Sequence, residues 1–136
     1  MTNQDLNINL GHPFNLITLI EKIGVGIDIV DVSRFKKVNF SSKPTFYEKI
    51  FLPSEIKYCL KFNNSHEHFA AKFAIKEAVK KSINETMSML DIETSHSNSK
   101  PKIRIRKRMR KRYHFSVSIT HERQFAIAVV LSELLN

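Results

Sequence analysis

Apolar residues alternate with small or polar residues in three stretches of the chain, residues 23–30, 115–120 and 125–131. A period of two is typical of a strand that buries one face, so each stretch predicts a strand. The short segment between the last two stretches predicts that they form a β-hairpin, with His121 at the end of its first strand. On the first strand, Asp28 shares a face with two glycines and lies opposite the isoleucines.

The region between these strands has a helical pattern. Short helices are predicted at residues 34–37 and 53–62, with a short amphipathic segment at 46–51 between them. A long helix is predicted from the turn at 63–65 to about Glu85. Beyond it the pattern predicts a short strand, a loop and a strand with one solvated face, at residues 90–94, 95–101 and 103–106. Runs of helices and runs of strands favour a single small α+β domain, in which an antiparallel sheet packs on the long central helix.

The length and composition of the chain suit one domain, since 42% of its 136 residues are hydrophobic. Residues 1–20 are interpreted as an N-terminal extension, with 14–20 apolar enough to pack on the surface or begin a strand, and 21–136 as the domain. No apolar run reaches the roughly 18 residues that span a bilayer, and the polar start does not resemble a secretory signal. We therefore expect a cytoplasmic protein without a membrane partner. Cys59, the single cysteine, lies among apolar residues and is interpreted as a buried structural thiol.

The positive charge of the chain is concentrated in one segment. The formal net charge is +9, and residues 102–112 contain eight basic residues and no acid. The rest of the chain carries 14 basic and 13 acidic residues, so it is nearly neutral. This distribution favours one docking patch for an anionic partner over a general nucleic-acid coat.

The long helix carries an unusual carboxylate. Glu77 lies on a face made of Ala70, Phe73, Ala74 and Lys81, which is mostly small and apolar. A carboxylate in such surroundings loses hydration unless a cation meets it. Lys81, four residues further on, is one candidate for that cation, and a divalent metal ion is another.

Two further features could join Glu77 in a metal–phosphate site, namely Asp28 and the segment Ser118–His121. Two carboxylates from different elements suit Mg²⁺, while a phosphate supplies further oxygens and meets lysines or a histidine. Each feature also has an ordinary explanation, which is a local hydrogen bond for Asp28, a helix pair for Glu77 and Lys81, and exposure for His121. The pattern alone leaves these alternatives open.

Four segments, in order and with matching spacing over about residues 21–136, resemble the holo-acyl-carrier-protein synthases, which are small 4′-phosphopantetheinyl transferases. These segments are Gly26–Arg34, Phe51–Glu55, Phe73–Lys81 and Phe115–Val130. The third has the pattern F-x-x-K-E-A-x-x-K. The resemblance implies transfer of the phosphopantetheine arm of coenzyme A to a serine of an acyl carrier protein, with release of 3′,5′-ADP.

The resemblance also implies roles for particular residues. Asp28 and Glu77 would bind Mg²⁺ and, with Lys81, form the catalytic group. The residues assigned to coenzyme A are Lys76, Lys81, Lys100, Pro101, Ser118, Thr120 and His121. Docking of the acidic carrier protein is assigned to Arg34, Lys37 and Lys49. A homotrimer is implied, in which one subunit supplies the carboxylates and its neighbour supplies the histidine.

Two departures from the family pattern keep other interpretations open. Residues 82–85 lack the glycine that the family has after its central helix, and Ser99 replaces the glycine of its Gly-Lys-Pro turn. One alternative is therefore a pseudoenzyme on the same scaffold. Another is a small RNA- or ribosome-binding protein that uses residues 102–112, although the nearly neutral remainder and the absence of Trp make nucleic acid an unfavoured partner.

Overall fold

The computed structural model describes residues 16–135. In chain order the helices are α1 (Leu16–Ile20), α2 (Ser33–Lys37), α3 (Pro44–Glu48), α4 (Pro53–Cys59) and α5 (Ser65–Ser82). The strands are β1 (Ile23–Asp31), β2 (Ile92–Ser97), β3 (Lys100–Ile105), β4 (Arg112–His121) and β5 (Phe125–Leu135), and a 3₁₀ turn at Met89–Asp91 precedes β2. Runs of helices and runs of strands confirm the predicted α+β class.

The strands form two antiparallel sheets. The larger has the order β1-β5-β4, and the smaller is the β2-β3 hairpin. In the larger sheet Asp28 on β1 lies opposite Ala128 on β5, which lies opposite Ile119 on β4. The predicted hairpin of residues 115–131 is thus present and extends from Arg112 to Leu135.

Helix α5 lies directly on β1 because two glycines leave room for its backbone. A Cβ atom on Gly24 would lie 1.8 Å from the carbonyl oxygen of Ser82, and one on Gly26 would lie 1.8 Å from that of Ala78. The Ser132 hydroxyl on β5 donates a hydrogen bond of 2.7 Å to the same Ser82 carbonyl. Close backbone approach therefore fixes the last turns of α5 on the edge strand that carries Asp28.

A cluster of buried aromatic rings packs the short helices against α5. Phe35, Tyr47, Phe51 and Phe69 are each 1% exposed, and their ring centroids lie 4.7–6.4 Å apart. The Tyr47 hydroxyl donates to the Phe35 carbonyl at 3.1 Å, which satisfies the one polar atom of the cluster. The cluster thereby sets the position of α2, whose basic side chains face outward.

The other face of the larger sheet is apolar and exposed. Val25, Ile27 and Ile29 on β1 are 59%, 59% and 61% exposed, and Val129 and Leu131 on β5 are 37% and 46% exposed. Alternation along the strands places these side chains away from α5, as predicted for the isoleucines opposite Asp28. A single chain therefore leaves one side of its main sheet uncovered among residues 16–135.

Several boundaries differ from the sequence-based predictions. The predicted loop at 95–101 is wrong, since β2 and β3 extend to a two-residue turn at Asn98 and Ser99, both with positive φ. Helix α5 ends at Ser82, three residues before its predicted end. The apolar stretch predicted to pack or begin a strand forms α1 within 16–20, while residues 1–15 of the predicted extension lie outside the described residues.

Candidate functional site

The carboxylate of Asp28 pairs with Lys81 where β1 meets the end of α5. Lys81 Nζ lies 2.9 Å from Asp28 Oδ1 and donates a second hydrogen bond of 3.1 Å to the carbonyl of Ile27. The Asp28 side chain is 15% exposed and that of Lys81 is 52% exposed, so the pair is open to solvent on the lysine side. A cation thus already meets the carboxylate on this strand.

The structure shows which lysine lies beside Glu77. The Glu77 carboxylate lies 3.8 Å from Lys80 Nζ, whereas Lys81, one of the two candidate cations for Glu77, binds Asp28. Glu77 and Lys81 are one helical turn apart, so they share a face and their Cβ atoms lie about 5–6 Å apart. The contact of Lys81 with Asp28 therefore brings both candidate metal ligands to the same side of α5.

The prediction that Lys76 binds coenzyme A is wrong for this chain. Lys76 is fully buried, and its ammonium group lies 2.6 Å from Glu55 Oε1. It also donates hydrogen bonds to the carbonyls of Ile50 (2.8 Å) and Met89 (3.1 Å). Burial lowers the pKa of Lys76, while Glu55 acts in the opposite direction. With all three protons donated inside the core, Lys76 is a structural cation that ties α4 to α5.

Cys59 has the buried position expected for a structural thiol. It is 0% exposed, and burial raises the pKa of its thiol to about 12. The thiolate is therefore absent at neutral pH, which excludes Cys59 as a nucleophile in this state.

His121 lies away from the Asp28–Lys81 pair, in a second pocket beside the first turns of α5. Its ring centroid is 5.2 Å from that of His68 on α5, and both line a cavity of about 350 Å³ together with Tyr58, Lys72 and His96. The ring of His96 stacks on that of Tyr58 at 4.8 Å. Sequence reasoning missed all of this pocket except His121, because the other side chains come from three different elements.

The pocket around His121 and His68 is lined by a lysine and histidines, which oppose protonation of one another. Lys72 is 3% exposed, donates to the Thr94 hydroxyl at 3.0 Å, and lies 4.7 Å from the centroid of the Tyr58 ring. Burial lowers the pKa of Lys72 and of His96. The pKa of His68 is also lowered, first by burial and then by the neighbouring His121. An anion in this cavity would relieve the repulsion among these groups.

Asp28 and His121 of one chain lie on the two outer strands of the main sheet. Asp28 pairs with Ala128, which pairs with Ile119, two residues before His121. Two strand spacings of about 4.8 Å and two residues of about 3.4 Å place their Cα atoms roughly 12 Å apart, with β5 between them. Their contacts on α5 also differ, since Asp28 meets Lys81 and His121 meets His68. One chain therefore does not bring Asp28 and His121 into a common site.

The remaining predicted coenzyme residues lie along β3 and β4. Ser118 and Thr120 are exposed on the sheet face opposite that of His121, because successive strand residues alternate in direction. Lys100 and Pro101 on β3 line a groove of about 830 Å³ together with Ser118. The structure thus groups Lys100, Pro101 and Ser118, and separates them from the carboxylates of the same chain.

The predicted carrier-docking residues lie on and beside the short helices. Arg34 and Lys37 are exposed on α2, and the Arg34 guanidinium lies 5.0 Å from the centroid of the Phe73 ring. Lys49 is exposed and follows α3 directly. The Asp31 carboxylate accepts a hydrogen bond from the Ser33 backbone N–H, which lowers its pKa and holds the turn into α2.

The junction of β1 and α5 presents two carboxylates, Asp28 and Glu77, beside the cation of Lys81. Among residues 16–135, no three His, Cys, Asp or Glu side chains gather closely enough to hold a metal ion by themselves. Two carboxylates can hold a hard divalent cation only with oxygens from a substrate or from water. The fold and this site together define a small α+β enzyme scaffold suited to phosphoryl chemistry.

Comparison with protein families identifies that scaffold. Residues 24–130 match the model of the 4′-phosphopantetheinyl transferase superfamily, so the chain belongs to this family. The family predicted from the four sequence motifs is confirmed, and with it the predicted fold class and the class of enzyme, a phosphopantetheinyl transferase.

Individual relatives cover most of the chain. A holo-[acyl-carrier-protein] synthase of Thermodesulfovibrio yellowstonii is 36% identical over 110 residues, which is 79% of this chain and 96% of the relative. The solved structure of a holo-[acyl-carrier-protein] synthase of Helicobacter pylori in complex with coenzyme A is 36% identical and has a TM-score of 0.66, covering 82% of this chain and 99% of that chain. A Bacillus anthracis holo-(acyl-carrier-protein) synthase in complex with CoA (3′,5′-ADP) is 29% identical, with a TM-score of 0.69, and the match covers 81% and 95% of the two chains.

Proposed function

We propose that this protein transfers the 4′-phosphopantetheine moiety of coenzyme A to a serine of an apo acyl carrier protein and releases 3′,5′-ADP. The observation that carries the proposal is the junction of β1 and α5, where Asp28 binds Lys81 one turn from Glu77. The activity of the related holo-[acyl-carrier-protein] synthases and the coenzyme in two related structures support the same reaction.

The carboxylates of Asp28 and Glu77 fit a magnesium ion. Lys81 Nζ already lies against Asp28, so the position favours a cation, and both candidate ligands present only oxygen atoms. A bound Mg²⁺ would neutralise the coenzyme diphosphate and the departing 3′,5′-ADP. Lys81 is long and half-exposed, so it can leave Asp28 and contact the diphosphate as a second cation.

The chemistry requires little from the protein beyond position and charge. The carrier serine oxygen forms a bond to the phosphorus that bears the pantetheine arm, and the bond from that phosphorus to the 3′,5′-ADP oxygen breaks. The serine proton must go to a nearby base, and the Glu77 carboxylate is one candidate because it lies on the same face as Lys81. No nucleophilic side chain is needed from this chain, which agrees with the inert position of Cys59.

We further propose that the active protein is a homotrimer with sites between subunits. Within one chain Asp28 and His121 lie on opposite sides of β5, with Cα atoms roughly 12 Å apart, and they contact different residues of α5, so we expect the His121 that acts beside Asp28 to come from a neighbour. The uncovered apolar face of β1 and β5 provides a surface for such a neighbour. In that arrangement Lys100, Pro101, Ser118, Thr120 and His121 would bind coenzyme A across the subunit boundary.

The acidic carrier protein is proposed to dock on α2 and the end of α3. Arg34, Lys37 and Lys49 are exposed cations on this side, and the buried ring cluster holds the helices that carry them. Opposite charges on the two partners would accelerate encounter and make it sensitive to salt. The domain that performs these steps is proposed to comprise residues 21–136, and the protein is proposed to work in the cytoplasm.

Labelling of a purified apo acyl carrier protein by coenzyme A tests the proposal. The full chain should label the carrier with Mg²⁺ and not with a chelator, and Asp28→Ala or Glu77→Ala should abolish labelling without loss of the folded circular-dichroism spectrum. Lys80→Ala, which removes the exposed partner of Glu77, is the matched control and should keep activity. Labelling that persists in both carboxylate variants would rule out this site.

Calorimetric titration with coenzyme A and Mg²⁺ separates the transferase from a pseudoenzyme on the same scaffold. A transferase binds the coenzyme and loses affinity in Asp28→Ala. Failure to bind coenzyme A at all, with the trimer intact, would show that the substitution of the glycine-containing loop by residues 82–85 has removed its function.

A further inference from the structure

A cationic loop and an apolar helix lie side by side at one end of the main sheet. The loop connects β3 to β4 and ends at Arg112, which lies opposite Leu135. The carbonyl of Lys22, just after α1, accepts a hydrogen bond of 2.8 Å from the Leu134 backbone N–H. Only β5 separates the two elements, so their bases lie about 10 Å apart.

Part of the basic segment is used to hold the loop against the chain. Arg104 pairs with Glu93 at 2.6 Å, and Arg106 donates to the Leu90 carbonyl at 3.3 Å. Lys107 donates to the Thr86 carbonyl at 2.5 Å. These contacts fix the backbone of the loop and determine which basic side chains stay available.

The outward side of the loop is cationic. Arg108, Arg110 and Arg112 are exposed, and their guanidinium groups have no ion pair or hydrogen bond with another residue in 16–135. Lys111 is exposed as well, whereas Met109 and Tyr113 are half-buried against the core. The loop therefore presents a row of positive charges to solvent, which includes three unpaired arginines.

Helix α1 presents apolar side chains next to that row. Leu16, Leu19 and Ile20 are 39%, 45% and 57% exposed. Exposed leucine and isoleucine beside unpaired arginine is the combination that lies in the interface of an anionic bilayer, with the apolar groups below the headgroups and the cations among them.

We propose that this end of the molecule, formed by α1 and residues 106–112, binds the surface of a membrane that contains anionic lipids. Each basic residue near such a surface contributes about 1 kcal/mol, and apolar side chains add binding that salt does not screen. The sequence predicts no membrane partner, because no apolar run is long enough to span a bilayer. In the structure, none of the described helices is long and apolar enough to cross one. A peripheral contact requires no spanning segment.

The surroundings of the loop disfavour the other anionic partners. A single-stranded RNA would stack its bases on exposed aromatic rings, but Tyr113 is half-buried and residues 102–112 contain no aromatic residue. The acidic carrier is expected on α2, which follows the opposite end of β1, about 30 Å away over its nine residues. The loop is thus a surface separate from the proposed carrier-docking surface.

Co-sedimentation of the full chain with vesicles tests the proposal. The protein should sediment with vesicles of phosphatidylglycerol and phosphatidylcholine, and stay in solution with phosphatidylcholine alone. The triple variant R108Q/R110Q/R112Q should lose roughly a hundredfold in affinity, the equivalent of about 3 kcal/mol. The charge-matched control K43Q/K57Q/K61Q, with three exposed lysines elsewhere, should bind as the parent does.

A second variant tests the apolar part. Leu19→Ser combined with Ile20→Ser should retain most binding at low ionic strength and lose it at high ionic strength, where screening weakens the arginines. Chromatographic mass and circular dichroism should be unchanged in all variants. Equal binding to both vesicle types, equal loss in the control, or no effect of the apolar substitutions would each overturn the proposal. So would an RNA oligonucleotide that binds more tightly than the anionic vesicles.

Discussion

At the scale of single residues, the lysines of α5 show how one helix serves both core and site. Lys76 and Lys81 are five residues apart, yet one neutralises a buried carboxylate and the other reaches an edge-strand aspartate. Their partners lie 21 and 53 residues away in the chain. Local spacing predicts pairs three or four residues apart, so it could not reveal either partner.

Substitution of Lys76 should destabilise the fold strongly. Lys76→Met leaves Glu55 as a buried charge without its cation, and breaking such a pair costs about 3–5 kcal/mol. Urea unfolding followed by circular dichroism measures the loss. Lys80→Met is the matched control, because its pair with Glu77 is partly exposed and should contribute less than about 1 kcal/mol. Similar losses in the two variants would contradict the structural role of Lys76.

The histidines of the second pocket should make stability fall in acid. The pKa of His68 and of His96 is lowered from 6.5 in the fold, so the unfolded chain binds protons at a pH where the folded chain does not. Stability from this source is full above pH 6.5 and decreases as the pH falls through and below it. His121, His96 and Lys72 also lower the pKa of His68, whereas Glu67 raises it.

Urea midpoints across that pH range measure the effect. The double variant His68→Gln/His96→Gln should show a flatter dependence between neutral pH and pH 5 than the parent protein. A parent profile as flat as that of the variant would show that these histidines protonate as easily in the fold as in the unfolded chain.

At the scale of elements, period-two alternation was a reliable guide and polar composition was not. Residues 23–30 and 115–131 became strands because one face of each packs on α5. Residues 95–101 are polar and were expected to be a loop. They pair as β2 and β3 because Tyr58 stacks on His96 and the Glu55 carboxylate accepts the Thr94 backbone N–H at 2.9 Å. Such tertiary contacts leave no periodic trace in the sequence.

The turn between β2 and β3 offers a direct test of backbone strain. Ser99 adopts φ = 63°, a left-handed conformation that costs a residue with a side chain about 1–2 kcal/mol. Ser99→Gly should therefore raise the free energy of unfolding by up to about 1 kcal/mol after the entropy of glycine is considered. Ser97→Gly, in the extended strand next to the turn, is the control and should lower it by about 0.5–1 kcal/mol. A less stable Ser99→Gly protein would contradict the turn geometry.

The candidate site was foreseen in parts, for a reason that lies in its geometry. Asp28, Glu77 and Lys81 belong to two motifs, and the close contact of β1 and α5 brings those motifs together. The pocket around Lys72 requires α4, α5, β2 and β4 at once, so no motif signals it. Segment-by-segment reasoning finds sites built from two elements and misses those built from four.

At the scale of the whole molecule, the separation of Asp28 from His121 predicts how defective chains should behave when mixed. If each site takes its carboxylates from one subunit and His121 from the next, Asp28→Ala and His121→Ala proteins are both inactive as pure assemblies. Unfolding and refolding them together creates mixed trimers, in which about a quarter of the sites join an intact Asp28 to an intact His121.

Carrier labelling should then rise from near zero to about a quarter of the parent rate in the co-refolded mixture. Mixing the two folded proteins without exchange of subunits should leave carrier labelling near zero. The exposed sheet face is the proposed contact between subunits, so Val25→Glu should reduce the mass measured by light scattering to that of a single chain and should remove activity. Lys61→Glu, on another surface, should change neither the mass nor the activity. If each chain instead completed its own site, co-refolding would rescue nothing, because every site would contain either the damaged carboxylate or the damaged histidine.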